Sequence, residues 1–301
     1  MHRSSGWPTR RPGTGVARRP GRFFSLTFGL VLILVLAVAG VFALLQFGLK
    51  GGFRGIQPRC TAQSEAGTAH LEPNQAANAA LIAAVASSMG LSPRAVTIGL
   101  ATAMQESKLR NIDYGDRDSL GLFQQRPSQG WGTPDQVQDP IYAAKRFFQA
   151  LAELPDFEAM SITEAAQAVQ RSAYPEAYAQ HEAAARSFAS SLTGHSPAGL
   201  ACQFHPVDNH LGLGDELAAT HLTEWGMANA VVQQNQVVIS AADATAAWAE
   251  AAWAVAKGGA FAIESVQVND QIWRRDQAAW QPLDSPKPPA GQVIITMASF
   301  S

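Results

Sequence analysis

The sequence predicts a mainly α-helical domain, preceded by one transmembrane helix and followed by a small α+β module. Three observations carry this expectation. A run free of charged residues extends from Phe23 to Phe47, apolar residues recur at helical spacing between residues 73 and 195, and short β-type runs take over after Cys202. By number, the expected organisation is a basic tail over 1–22, the span over 23–47, a linker over 48–72, the helical domain over 73–195, a connecting region over 196–235 and the α+β module over 236–301.

The tail holds six arginines (Arg3, Arg10, Arg11, Arg18, Arg19, Arg22), no acid, and Pro8, Pro12 and Pro20. Such a segment cannot bury a core, and disorder is expected. The apolar run that follows has 25 residues. As a helix it would be about 37 Å long, enough to cross a hydrocarbon core of ~30 Å. A cleaved signal peptide is the alternative, with Ala37-Val38-Ala39 as a cleavage-like stretch. The run is longer than the apolar region of a signal peptide and continues beyond that point, which favours an anchor. Basic residues are concentrated before the span, so the N-terminus is expected in the cytoplasm and residues from about 50 onward outside.

Of 22 basic residues, six lie in the tail; the remaining 16 face all 24 acids, leaving the rest of the chain at a net charge of −8. A nucleic-acid binder needs a basic surface, so no nucleic-acid partner is expected. The two cysteines, Cys60 and Cys202, both fall on the predicted outer side, where disulfides persist, and they bracket the helical domain. One bond between them is expected, with two free thiols as the alternative. Isolated cysteines are poor zinc ligands, and neither a metal ion nor a cofactor is called for.

Helical patterning begins at Asn74, read as an N-cap, with Ala77, Leu81, Ile82, Val85 and Met89 in register and Gly90 as a stop. Ser92-Pro93 reads as N-cap and first helical position of a helix carrying Ala95, Ile98, Gly99, Thr102, Ala103 and Glu106 on one face. Residues 108–139 are rich in Asp, Gly, Gln and Pro and have no sustained period, as in an ordered functional loop. Helices resume at Asp139-Pro140, at Ser161, where Glu164 completes a capping box, and near Pro175. The last of these carries Tyr178, His181, Ala185, Phe188 and Leu192. In the C-terminal module, strands are expected at Val237–Ile239, Phe261–Val268 and Val293–Thr296, and a helix over Ala241–Lys257 that stops at Gly258-Gly259. Trp248, Trp253, Trp273 and Trp280 should pack its core.

The stretch that carries chemistry is Gln105-Glu106-Ser107 followed by Asp118-Ser119-Leu120-Gly121-Leu122-Phe123-Gln124-Gln125. Glu106 closes an apolar helix and faces a polar, glycine-containing loop. A carboxyl at such a boundary is partly desolvated, which raises its pKa and lets it donate a proton near neutral pH. The bland alternative is a solvated glutamate at a helix end.

This pattern resembles the lysozyme-like, soluble lytic transglycosylase family. Its signature is a catalytic Glu followed by Ser on a helix, then about fifteen residues later a Gly-Leu-Met-Gln motif. Here Glu106-Ser107 is followed by Gly121-Leu122-Phe123-Gln124, with Ser119 just before it, and the resemblance covers residues 75–190. A closer resemblance is to actinobacterial single-pass membrane proteins that share the string from Asp113 to Gly132. The chain departs from the family in having Phe123 for the usual Met. It also has Val169-Gln170-Arg171-Ser172-Ala173-Tyr174 where the family often has Ala-Tyr-Asn-x-Gly.

The resemblance implies a lysozyme-like fold for the helical domain and Glu106 as general acid, then base, at the MurNAc–GlcNAc β-1,4 bond of peptidoglycan. It implies Tyr174 as the tyrosine that supports the acid. Ser119, Gln124 and Gln125 are candidate donors to sugar hydroxyls and acetamido groups, and Tyr114 and Trp131 candidate stacking platforms; for Trp131, packing in the core is an equal reading. Arg126 could take a peptide-stem carboxylate or brace the loop. A hydrolase would need a second carboxylate, with Asp113, Asp116 and Asp118 as candidates, or these aspartates simply cap turns. The expected partners are peptidoglycan glycan strands and the cytoplasmic membrane. A catalytically inactive wall-binding or scaffold protein of the same fold is the alternative.

Overall fold

The computed structural model describes residues 35–41, 57–171, 175–205, 213–284 and 286–299. The chain divides into two units, residues 1–55 and residues 56–301. In the first, residues 35–41 are helical (α1). The expected span over 23–47 otherwise lies outside the described residues, and among these no helix is long and apolar enough to cross a membrane.

The second unit corrects the expected fold class. It is α+β rather than mainly α. The chain is 48% helix and 19% strand, and the strands form two antiparallel sheets. The smaller sheet has the order β2-β1-β3, built from β1 (Arg59–Ser64), β2 (Gly67–Leu71) and β3 (Leu200–Gln203). Two of its strands lie in the segment read as a linker. Cys60 and Ala62 alternate inward along β1, but such small residues give too weak a period-2 signal to stand out in sequence. β1 pairs with β3 so that Cys60 faces Cys202. The two are joined by a disulfide across 142 residues of chain.

Between β2 and β3 run α2 (Pro73–Ser88), α3 (Pro93–Ser107), α4 (Pro134–Gln138), α5 (Pro140–Ala152), α6 (Ile162–Gln170), a 3-10 helix (Pro175–His181) and α7 (Glu182–Leu192). The Ser92 cap of α3, the Asp139 cap of α5 and the Ser161–Glu164 capping box of α6 are formed as the sequence indicates. α2 begins earlier than expected. Glu72 is its N-cap, with the Glu72 amide donating to Gln75 Oε1 at 2.9 Å, so Asn74 is already inside the helix.

The C-terminal part contains α8 (Gly214–Trp225), β4 (Ala230–Gln233), β5 (Gln236–Ser240), α9 (Ala244–Phe261), β6 (Ile263–Val268), β7 (Gln271–Arg274), β8 (Ala279–Pro282) and β9 (Gln292–Met297). Its strands make one sheet, ordered β4-β5-β9-β6-β7-β8. α9 packs on this sheet with one side and on α2 and α7 with the other, so it is buried nearly all round. The helical part and the C-terminal part therefore share one continuous core. α9 also runs through Gly258-Gly259 instead of stopping there. A Cβ on Gly258 would lie 2.8 Å from the Phe204 ring, so the glycine admits a close neighbour and does not end the helix. Trp248, Trp253 and Trp273 are buried as expected, and Trp280 packs partly buried against the core.

Candidate functional site

Glu106 occupies the last turn of α3, where the helix leaves the core. Met104 and Ser107 beside it are buried, and Glu106 itself is half-buried. The helix ends on two successive left-handed residues, Lys108 and Leu109, with Leu109 folded into the core. This turn sends the chain sharply away and leaves Glu106 at the boundary. Ser107 locks the arrangement: its hydroxyl donates to the Leu122 carbonyl at 2.7 Å, fastening the helix end to the Gly-Leu-Phe-Gln loop.

Two side chains from other elements hold the carboxylate. The Tyr178 hydroxyl, from the 3-10 helix after α6, donates to Glu106 Oε1 at 2.7 Å. Gln170, the last residue of α6, hydrogen-bonds the same carboxylate and donates through Nε2 to the Phe123 carbonyl at 2.7 Å. Burial raises the Glu106 pKa above its ordinary value, and the Tyr178 and Gln170 bonds pull the other way with less effect. The family's supporting tyrosine was expected at Tyr174, which lies outside the described residues. The tyrosine on the carboxylate is Tyr178, read in sequence as a core residue. Its ring is fully buried while its hydroxyl reaches the acid.

The loop is braced from within. Leu120 and Gln125 exchange backbone hydrogen bonds of 3.0 and 3.1 Å around Gly121. Gly121 adopts φ 78°, and a Cβ there would stand 2.4 Å from the Val137 carbonyl, so no other residue fits. Phe123, in place of the family's Met, is fully buried and stacks on Phe147 with ring centroids 4.6 Å apart.

The expected sugar-contacting residues divide accordingly. Gln125 is buried and donates to the Ala143 carbonyl at 3.0 Å, and Ser119 is also buried. Gln124 spends its amide on the carbonyls of Tyr114 and Gly121, both at 3.3 Å. Tyr114 is 69% exposed and free to meet a ligand, whereas Trp131 is half-buried, with its carbonyl accepting from the Tyr142 hydroxyl. Asp118 binds inside the loop too. The Ser128 amide and hydroxyl and the Arg126 guanidinium all donate to it and hold its carboxyl well below the usual carboxylate range. Arg126 thus braces the loop through Asp118. His181 is linked to Gln105 Oε1 at 3.0 Å, one residue before the acid. Gln170 was named in sequence only as part of a departure from the family motif. Its place in the stretch that matches that motif, at the end of α6, was the available signal.

Among the described residues no group of three or more His, Cys, Asp or Glu side chains stands together as a metal site. Comparison with protein-family models and with curated proteins found no match.

Proposed function

We propose that this protein is a peptidoglycan lytic transglycosylase that cleaves the MurNAc–GlcNAc β-1,4 bond with Glu106 as general acid and base. The observation that carries the reading is a single half-buried carboxyl, its pKa raised by burial, gripped by Tyr178 and Gln170 beside the Gly-Leu-Phe-Gln loop. Such a group keeps a proton closer to neutral pH and can pass it to a glycosidic oxygen. It then accepts a proton from the muramoyl 6-hydroxyl as that oxygen attacks C1. The bond to the leaving GlcNAc breaks, a 1,6-anhydro ring forms, and the acid returns to its starting state. No second carboxylate takes part in this sequence. Asp118, already committed to Ser128 and Arg126, is poorly placed to activate water as an inverting hydrolase would require.

The location that goes with this chemistry is the outer face of the cytoplasmic membrane. A buried disulfide closed between two sheet strands suits an oxidising compartment.

The test is digestion of purified peptidoglycan followed by mass spectrometry of the released muropeptides. The wild-type protein should release 1,6-anhydro products, and Glu106→Gln should lower the rate by about 10²- to 10⁴-fold. Ordinary reducing ends would replace the reading with a hydrolase. No release, together with co-sedimentation on cell walls, would replace it with a wall-binding protein.

A further inference from the structure

The 3-10 helix that carries Tyr178 meets the end of α3 at more than one point. Besides the bond from Tyr178 to Glu106, Gln105 Oε1 accepts from Gln180 Nε2 at 3.1 Å and stands 3.0 Å from His181 Nε2. Two consecutive residues of α3 are thus held by side chains from one helix of seven residues.

One backbone group identifies every atom in this contact. Gln180 Nε2 also donates to the Ala177 carbonyl at 3.1 Å. A carbonyl only accepts, so the amide nitrogen of Gln180 is fixed, and its second hydrogen serves Gln105. Gln105 must then present its oxygen, because its nitrogen there would set two donors against each other. With that oxygen as acceptor, His181 carries its proton on Nε2 and donates it. Burial pushes the His181 pKa down, so near neutral pH the ring is neutral and Nε2–H is its one donor.

The spacing of these residues gives the contact its consequence. In a 3-10 helix residues i and i+3 eclipse, so Tyr178 and His181 project from the same face, about 6 Å apart. Both meet α3, and the two chains run in opposite directions. Tyr178 reaches Glu106, and His181, three residues later, reaches Gln105, one residue earlier. The internal hydrogen bonds of a 3-10 helix are poor, so side-chain anchors decide where this one sits along α3. A slip by one residue would carry the Tyr178 hydroxyl about 2 Å, enough to break its bond to the acid. His181 is also the residue from which α7 starts, and α7 packs on α3. The Gln105 contact therefore stands between a firmly packed helix and the tyrosine on the carboxylate.

We propose that Gln105 is a positioning residue for the reaction assigned to Glu106: its side-chain oxygen, held by His181 and Gln180, fixes the 3-10 helix in the register that brings the Tyr178 hydroxyl to the Glu106 carboxylate. This role rests on the reading of Glu106 as the acid. Gln105 acts through Tyr178 and not by contact with the glycan.

The test is the Glu106 pKa, read by carboxyl ¹³C NMR of the full chain in detergent micelles and assigned from its absence in Glu106→Gln. Wild type, Gln105→Leu, Tyr178→Phe and the double variant form a cycle. The Tyr178 bond lowers the Glu106 pKa, so losing it raises the value. Gln105→Leu should raise it too, and the double variant should match Tyr178→Phe alone. His181→Gln keeps a donor in place of Nε2 and should leave the Glu106 pKa as in wild type, whereas His181→Leu should raise it. The His181 pair decides the matter even if Gln105→Leu fails to fold. On peptidoglycan, Gln105→Leu should slow muropeptide release by about 10- to 100-fold, with no further loss in the double variant. An unchanged pKa in Gln105→Leu, shifts that add in the double variant, or equal behaviour of His181→Gln and His181→Leu would overturn the role. The pKa is read without substrate, so the expected cycle in a protein that releases no muropeptide sinks the glycan-cleaving assignment and leaves the register contact standing.

Discussion

The Tyr178 hydroxyl and the Glu106 carboxylate are joined at 2.7 Å across 72 residues of sequence. This bond favours the ionised acid, against the burial that favours the protonated one. Tyr178→Phe should therefore move the alkaline limb of the pH–rate profile upward. The maximal rate should fall by about 10- to 100-fold, the equivalent of a hydrogen bond to a charged group. The pH dependence of muropeptide release in the two proteins checks both.

Gln170 ties the same carboxylate to the Phe123 carbonyl. Gln170→Leu should raise the Glu106 pKa, read by carboxyl ¹³C NMR without any need for turnover. It should also cost about 1–3 kcal/mol of stability, because the Phe123 carbonyl loses its donor. Gln170→Glu, protonated at low pH, should restore part of the stability there and none at pH 8.

Glu250 and His221 make opposite contributions to stability. Glu250 is raised from 4.5 to about 7, so the stability it contributes is complete below pH 4.5 and is lost as pH rises to 7. His221 is lowered from 6.5 to about 4, so its contribution is complete above pH 6.5 and is lost as pH falls to 4. Each change amounts to about 3 kcal/mol. Urea titrations of the wild type should thus vary little between pH 4.5 and 6.5. Glu250→Gln should gain stability with rising pH across that window, and His221→Asn should lose it.

Lys257 and Trp253 both donate to Glu224, each at 2.6 Å, within the core between α8 and α9. Lys257→Met leaves a buried carboxylate without its cation and should cost about 3–5 kcal/mol. The double variant Glu224→Leu/Lys257→Met should recover most of that loss. Chemical denaturation of the single and double variants measures the difference.

Where a local signal was strong, the sequence was readable. Ser92-Pro93, Asp139-Pro140 and Ser161–Glu164 mark helix starts because each cap is made within four residues. The boundary position of Glu106 followed from the same logic, as an apolar face running into a polar loop. Elements that depend on distant partners were hidden. β4, β7 and β8 have only four residues each, too few to establish an alternation. β1 is held as a strand by pairing with β3, more than a hundred residues away, and β2 by pairing with β1. Gly258-Gly259 resembled a helix stop because nothing local reveals the Phe204 ring that occupies the space. Tyr178 was visible as an apolar residue, but not as a donor, since the direction of its hydroxyl is set by the fold around Glu106. Glu250 sits in an alanine-rich helix whose every face is covered, and no spacing rule distinguishes a buried acid from an exposed one.

The bond between Cys60 and Cys202 makes a covalent ring of everything from the first strand to the third, the Glu106 loop included. A protease that nicks the exposed stretch around Tyr114 would sever the backbone without releasing a fragment. The two pieces would still migrate together on a gel until a reductant is added. A protein so constructed can survive a single cut with Glu106 and Tyr178 still attached to one molecule.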